Sequence, residues 1–442
     1  MFTRKDIVKL IIPLIIEQIL LMTIGMTDTI MVASVGENAV SAVSIVDSIN
    51  TLLINVFSAL ATGGAVVTAQ FLGMGKIGKA CKSAKQLILV AFSFSILIMS
   101  ICLIGNSFIL NTIFGQMDKN IMQDSMIYFS VSALSYPSLA LYNSGAAIFR
   151  VMGNSKVSMV NSFLMNVVNL IANYIFIYIF DMGVLGAGLG SLIARTFSSI
   201  CVISLLRFSK GDVRIKKLFR LDFDFKIIKN ILAIGVPNGI ENSMFQIGKI
   251  LVQGLIITFG TSAIAANAVA VSVANIAIIP GMAVGLAMIT VVGRCVGAKE
   301  FDQAKKYIKN LTLTSMASLT FINIIIILIC PFIISVYKLT SETASLASQL
   351  IIYHSICAIL IWALSFTLPN GLRASNDVKF TMIIATISMW VFRILFSYIL
   401  GKYFNMGVMG VWISMTIDWL FRAIVFTIRY FSGKWQNKIF VE

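Results

Sequence analysis

The sequence predicts an all-α integral membrane protein with twelve transmembrane helices, in two six-helix lobes related by pseudo-two-fold symmetry along the membrane normal. Three observations predict this fold. Of the 442 residues, 58% are hydrophobic and only 12% are charged, whereas soluble domains carry roughly 25% charged residues. Long apolar segments follow one another along the chain, and its second half repeats its first. An ordinary soluble enzyme and a disordered protein are both excluded.

The apolar segments are long enough to cross a bilayer as helices, since one span needs about 20 apolar residues. They are continuously apolar and do not alternate, which excludes a transmembrane β-barrel. The twelve predicted segments are 10–34, 44–72, 86–105, 124–148, 157–180, 184–206, 230–258, 264–292, 310–334, 344–370, 380–400 and 408–431.

The net charge of +16 comes from basic residues that are concentrated in alternate loops and at both ends of the chain. Among the loops that follow odd-numbered segments, the basic residues are only Lys119, Lys338 and Lys402, whereas the other loops and both ends are rich in Lys and Arg. Positive residues concentrate on the cytoplasmic side of membrane proteins. We therefore expect a multi-pass protein of the bacterial plasma membrane with both termini in the cytoplasm, and no nucleic-acid partner.

The internal repeat has an offset of 224 residues. Pro13 and Glu17 recur as Pro237 and Glu241, and QFLGMGKIGKACK recurs as RCVGAKEFDQAKK. Each half then holds six spans and enters the membrane in the same direction, as in transporters that bind substrate between two parallel repeats. The predicted units are an N-terminal lobe 1–206, a cytoplasmic linker 207–229 and a C-terminal lobe 230–442.

Residues that could bind a metal, form disulfides or act in catalysis are sparse in this chain. Its six cysteines are dispersed and it has one histidine, which supports neither a zinc site nor a disulfide framework. No GxxxxGK[ST] loop is present, so ATP-driven pumping by this chain alone is excluded. We expect no enzyme activity and no cofactor, with Na⁺ or H⁺ as a coupling ion.

Several stretches together resemble one transporter family. They are GMTDTIMVASVGENAVSAVS, QFLGMGKIGKA, NVVNLIANYIFIY with DMGVLGAGLGS, and GVPNGIEN. In this order, and over essentially the whole chain, they resemble the multidrug and toxic compound extrusion (MATE) family. The resemblance implies a twelve-helix, two-lobed antiporter that exports organic cations and other drugs in exchange for sodium ions or protons.

Asp28 is the first candidate for a cation-coupling site. An ionisable group inside a span is a functional hypothesis by default, and the repeat position of Asp28 is Val252. Asn169 and Asn173 are four residues apart, so they share a helix face, and amide oxygens suit hard cations. The resemblance implies Na⁺ at Asp28, Asn169 and Asn173, with a hydroxyl from Ser191. Interhelical hydrogen bonding is the alternative role.

Glu241, Glu17 and Trp362 are the candidates for a substrate or second cation site. The two glutamates are symmetry mates, each four residues after a proline, and Glu241 matches a carboxylate that the family uses. Structural pairing is the alternative, although Lys249 lies eight residues from Glu241, too far on a straight helix. Trp362 takes a position where some relatives carry Asp; it either lines a drug cavity or packs.

Other polar residues in the spans have simpler interpretations. Asp418 and Arg422 lie at i and i+4, and we expect them to pair. His354 is expected to pack and not to relay protons. Arg195 and Arg393 have no evident partner in the sequence, and their roles stay open.

Together these patterns predict a secondary-active multidrug and organic-cation efflux antiporter that works by alternating access, with Na⁺ as the first choice of ion and H⁺ as the second. Its partners would be small-molecule drugs or organic cations and membrane lipids, and it would function as a monomer. The alternative is a flippase for lipids or lipid-linked oligosaccharides. That activity calls for a cationic cavity, for which the candidates are Arg195, Lys249, Arg393 and Arg422.

Overall fold

The computed structural model describes residues 2–115, 118–208, 211–215 and 222–437. Within these ranges the chain forms helices and no strand, which confirms the all-α prediction. Ten of the helices are long and apolar enough to cross a membrane. Continuously apolar sequence folds this way because a helix satisfies all its backbone hydrogen bonds internally.

In the described part of the chain, eight helices precede the charged linker. They are α1 (Arg4–Ala33), α2 (Glu37–Gly73), α3 (Ile77–Ile104), α4 (Asn106–Phe114), α5 (Lys119–Leu134), α6 (Tyr136–Val151), α7 (Ser155–Ile179) and α8 (Gly183–Phe208). The last turns of α7, Tyr174–Ile179, are π-helical.

Seven helices follow the linker within residues 222–437, the described part of this half. They are α9 (Phe225–Ile257), α10 (Thr261–Ala277), α11 (Ile279–Gly297), α12 (Phe301–Val336), α13 (Ser341–Ala374), α14 (Val378–Tyr403) and α15 (Gly407–Phe431). A short 3₁₀ turn, Lys434–Asn437, comes after α15.

The twelve predicted segments correspond in order to fourteen of these fifteen helices, and the short helix α4 has no predicted segment of its own. Two of the segments are interrupted. The fourth segment is divided between α5 and α6, and the eighth between α10 and α11. Pro137 and Pro280 each stand in the first turn of the second helix. Proline lacks the backbone N–H that would continue the hydrogen-bond pattern of the preceding helix, so each apolar segment forms two helices.

The helices pack into two units, Phe2–Gly239 and Ile240–Glu442. The division falls inside α9, whose first turns belong to the N-terminal unit. Gly63 on α2 allows this approach, since a Cβ atom there would lie 2.5 Å from the backbone oxygen of Ile231. Residues 209–210 and 216–221 of the predicted linker lie outside the described residues, and the lobe boundaries at 206 and 230 stay predictions.

Candidate functional site

Three helices of the N-terminal unit meet at the candidate cation site. Helix α7 packs against both α1 and α8, and small residues on α8 permit the close approach. A Cβ atom at Gly186 would lie 2.9 Å from the backbone carbonyl carbon of Phe176, and one at Gly190 would overlap the side-chain oxygen of Asn173. Gly186 and Gly190 form the small-xxx-small pattern that brings membrane helices together.

The structure brings Asp28, Asn169, Asn173 and Ser191 into one hydrogen-bonded cluster. Asn173 Nδ2 donates to Asp28 Oδ1 at 2.5 Å, and Ser191 Oγ donates to Asp28 Oδ2 at 2.9 Å. Asn169 Nδ2 donates to Ser191 Oγ at 3.3 Å. All four side chains are buried, with Asp28 5% exposed. The acidic group therefore lies inside the bundle and is held by donors from two other helices.

The cluster contains oxygen atoms of the kind that hard cations bind. Asn173 Oδ1 is buried and has no hydrogen-bond partner, which leaves one carbonyl oxygen available beside the carboxylate. Among the described residues no group of three or more His, Cys, Asp or Glu side chains could hold a metal ion. An ion bound at Asp28 would thus be coordinated by one carboxylate together with neutral amide and hydroxyl oxygens, the hard ligands that hard cations prefer.

A second polar network in the N-terminal unit was missed by the sequence analysis. Asn50 Nδ2 donates to Asp47 Oδ1 at 3.1 Å, and Tyr136 OH donates to Asn50 Oδ1 at 2.9 Å. Arg195 donates to Ser135 Oγ at 2.7 Å and is close enough to attract the carboxylates of both Asp28 and Asp47. Asp47 is an ionisable residue within the predicted segment 44–72, a signal that could have identified it.

Arg195 gains partners from this network. Its guanidinium is close enough to attract the carboxylates of both Asp28 and Asp47, whereas nothing near it in the sequence indicates either of them. Asn166, which shares the face of Asn169 in sequence, instead donates to the backbone oxygen of Leu20 on α1 at 3.1 Å.

Glu17 and Glu241 each form a buried ion pair with an arginine of the same unit. Arg373 Nη2 donates to Glu241 Oε1 at 2.6 Å, and Arg150 Nη1 lies 3.6 Å from Glu17 Oε1. Ser158 Oγ also donates to Glu17 Oε2 at 2.7 Å. The two pairs occupy equivalent places in the two halves of the repeat. Structural pairing, the alternative role, is therefore present in both halves.

The partner of Glu241 is not Lys249, in agreement with the distance expected for a straight helix. Arg373 comes from α13 and also donates to Asn370 Oδ1 at 2.8 Å. Glu241 Oε2 and Arg373 Nε are buried without a hydrogen-bond partner.

Trp362 and His354 lie in the core of the C-terminal unit. Trp362 is buried and stacks on Phe366, with ring centroids 5.0 Å apart. His354 is buried edge-on against Trp412 and Trp419, with centroids 5.7 and 5.4 Å away. Both side chains pack against other aromatic rings, as expected for His354.

Asp418 pairs with two arginines. Arg422 Nε donates to Asp418 Oδ1 at 2.8 Å, which confirms the expected i, i+4 pair. Arg393 Nη1 lies 3.8 Å from Asp418 Oδ2, which gives Arg393 a partner from another helix. Ser388 Oγ donates to Asp418 Oδ1 at 2.5 Å.

Ionisable side chains buried within a bundle of long apolar helices are typical of multi-pass membrane proteins that move ions or solutes. The sequence model of the MatE family matches the chain twice, at residues 13–175 and 237–399. The chain therefore belongs to the MatE family, as its motifs predict. The two matches begin 224 residues apart, the offset of the internal repeat, so the duplication is confirmed as well.

Curated relatives extend over nearly the full chain. A probable multidrug resistance protein NorM from Thermotoga maritima is 23% identical and covers 98% of this chain and 94% of its own length. The uncharacterized transporter YisQ from Bacillus subtilis is 27% identical, covering 96% of this chain and 94% of its own length.

Solved structures share the fold. A MATE transporter in the bent conformation matches with a TM-score of 0.87 at 20% identity, over 98% of this chain and 96% of that one. A MOP superfamily transporter from Pyrococcus furiosus matches with a TM-score of 0.88 at 20% identity, over 98% of this chain and 97% of that one. The twelve-segment helical architecture is thus that of a MATE transporter.

Proposed function

We propose that this protein is a secondary-active multidrug efflux antiporter of the bacterial plasma membrane, which exports drugs and organic cations in exchange for Na⁺ by alternating access. The observation that carries the proposal is the buried carboxylate of Asp28, held by Asn173 and Ser191 from two other helices. The NorM relative from Thermotoga maritima supports the drug-efflux part. We further propose that the protein acts as a monomer with both termini in the cytoplasm.

Ion binding would act through the hydrogen bonds at Asp28. A cation and the amide N–H of Asn173 compete for the same carboxylate oxygen, so Na⁺ would replace the bond that Asn173 donates. Its carbonyl oxygen, which lacks a partner, could then face the ion. A proton on Asp28 would disturb the same contacts, because a protonated carboxyl becomes a donor at one oxygen. H⁺ is therefore the second coupling ion that we propose.

Coupling follows from these contacts. Asp28, Asn173 and Ser191 lie on α1, α7 and α8, so the ion would change how these three helices are joined. An ion drives a conformational change only as far as it binds one state better than the other. Exchange results if drug and ion prefer different states, since the coupling free energy between the two ligands is then nonzero.

The test is efflux of a fluorescent cationic dye from proteoliposomes under an imposed Na⁺ gradient, and separately under an imposed pH gradient. We expect the Na⁺ gradient to drive efflux by the wild type and Asp28→Asn to abolish it. Asp181→Asn is the matched control, since Asp181 is exposed and has a positive φ that asparagine tolerates. Unchanged efflux by Asp28→Asn would contradict the proposal, and efflux driven by pH alone would assign the proton as the ion.

A flippase for lipids or lipid-linked oligosaccharides is the second candidate, and one observation favours it. Lys249, Arg393 and Arg422 lie together in the C-terminal unit, which gives part of the cationic surface that a phosphate head group requires. In the N-terminal unit, Arg195 is near two carboxylates, so its charge is compensated. Transbilayer movement of a labelled phospholipid in the same proteoliposomes, without any ion gradient, would favour this candidate.

The assignment of Glu17, Glu241 and Trp362 to a substrate or second cation site stays a prediction. The ion pairs of both glutamates and the core position of Trp362 indicate structural roles, and the double-variant experiment discussed below separates the two roles for Glu241.

A further inference from the structure

Three cationic side chains surround one aromatic ring in the C-terminal unit. Lys249 Nζ lies 5.0 Å from the ring centroid of Phe245, and the guanidinium carbons of Arg393 and Arg422 lie 5.1 and 5.8 Å from it. Lys249 comes from α9, Arg393 from α14 and Arg422 from α15. Positions up to 173 residues apart in the chain thus meet at one place, which we name the Phe245 cluster.

The Phe245 cluster carries more positive than negative charge. Asp418 pairs with Arg422 and Arg393, and within the described parts of the chain no carboxylate forms an ion pair with Lys249. Arg393 is near enough to both Lys249 and Arg422 to repel them. One carboxylate therefore faces three cations, although charges within a membrane protein are costly unless they are paired.

Extension of the Lys249 side chain to the membrane surface does not explain the position of its ammonium group. Lysines near the end of a transmembrane helix extend toward that end and reach the interface. Lys249 lies eight residues before the end of α9, but its ammonium group is placed over Phe245, one turn in the opposite direction. The side chain turns away from the nearer helix end and toward two other cations.

Further aromatic side chains lie next to the Phe245 cluster. The rings of Phe245 and Phe366 are 6.3 Å apart, Arg422 lies 5.5 Å from Phe366, and Phe366 stacks on Trp362. Phe245 and Phe366 are half-buried, and Lys249 is exposed. A ligand that approaches from the side of Lys249 would meet cationic groups first and aromatic rings beside them.

We propose that the Phe245 cluster is an anion-binding site for a carboxylate or phosphate group that is attached to an apolar or aromatic body. Guanidinium groups bind both oxyanions through charge-assisted hydrogen bonds, and an anion supplies the counter-charge that the cluster lacks. The site extends the substrate range from organic cations to acidic and zwitterionic amphiphiles. Only its part in transport rests on the proposed export function.

The test is calorimetric binding to the purified full-length protein in a neutral detergent. The probes are 4-phenylbutyrate and 4-phenylbutylamine, which have similar size and opposite charge. We expect saturable binding of the acid at the Phe245 cluster, whereas binding of the amine takes place elsewhere and does not depend on Lys249. Lys249→Gln should weaken binding of the acid roughly tenfold, the loss of one charge-assisted contact. Lys249→Arg should retain binding, and Lys402→Gln, at an exposed lysine, should leave it unchanged.

An effect of Lys249→Gln of the same size on acid and amine would overturn the proposal, as would an unchanged affinity for the acid in Lys249→Gln. Competition in mixed micelles distinguishes a lipid ligand from a soluble organic anion. Displacement of 4-phenylbutyrate by phosphatidylglycerol and not by phosphatidylcholine supports the site with a lipid as its ligand. No displacement by either supports it with a soluble organic anion. Because binding needs no ion gradient, a failure of Asp28-dependent efflux leaves this result intact.

Discussion

Removal of one member of the Glu241–Arg373 pair should destabilise the C-terminal unit strongly. Arg373 Nη2 lies 2.6 Å from Glu241 Oε1, and the two side chains are only 11% and 10% exposed. Glu241→Met leaves a buried guanidinium without its carboxylate, and Arg373→Met leaves a buried carboxylate without its cation. Breaking a buried pair in this way costs roughly 3–5 kcal/mol, which we expect for each single variant.

The double variant Glu241→Met/Arg373→Met should cost far less than either single variant. Two atoms of the native pair, Glu241 Oε2 and Arg373 Nε, already lack hydrogen-bond partners, so the pair incompletely offsets its own desolvation. Replacing both partners by apolar groups is commonly neutral or stabilising. We therefore expect a cost of about 1 kcal/mol or less for the double variant, and a coupling energy of several kcal/mol.

The assay is equilibrium unfolding of the full-length protein in mixed micelles, followed by tryptophan fluorescence. Single-variant costs that simply add in the double variant would refute a structural pair. The same cycle at Glu17 and Arg150, where the closest atoms are 3.6 Å apart, should show a smaller coupling energy. If Glu241 instead serves the transport cycle, Glu241→Gln will lower efflux while the stability is retained.

Two further predictions follow from the described contacts. Gly190→Ala should reduce ion-driven efflux, because its methyl group would displace the amide of Asn173 from Asp28. Gly254→Ala, where a Cβ atom would have nothing within 4 Å, should leave efflux unchanged, and equal efflux in the two variants would contradict the positioning role. The second prediction concerns the ion pair of Lys82 and Asp224 at 2.7 Å. The hydrogen bond from Lys82 holds the pKa of Asp224 below its ordinary value of 3.8. This contact therefore contributes its full stability above about pH 4 and loses it as the pH falls through the lowered pKa. Because the pair is partly exposed, it is worth about 1 kcal/mol or less. The difference in thermal midpoint between wild type and Asp224→Asn should shrink below pH 4, and a difference that is constant with pH would refute the assignment.

Local pattern accounts for much of what the sequence predicted. Apolar length indicated the membrane spans, and the repeat indicated the two halves. The helical period placed Asn169 and Asn173 on one face and joined Asp418 to Arg422. Pro137 and Pro280 mark the points at which two of the predicted segments divide into two helices. The apolar composition continues across these points, so composition alone did not predict the breaks.

Side-chain contacts between different helices could not be predicted in the same way. Glu17 and Arg150 are both visible in the sequence, but the helical period cannot show that α1 and α6 bring them together. The same limit concealed the link between Asp47 and Arg195. It also concealed the donor role of Asn173 toward Asp28, because an amide carries a donor and an acceptor and only its surroundings orient it.

The sequence by itself determined that this protein is a duplicated bundle of membrane helices, with a carboxylate in one span of its first half and two amides on one face of another. These properties depend on composition and on spacing within single helices. The tertiary structure alone decided which faces meet: the arginine partner of each repeated glutamate, and the meeting of Lys249, Arg393 and Arg422 around Phe245. The physical reason is that helix periodicity specifies the face on which a side chain lies, whereas packing specifies what lies opposite.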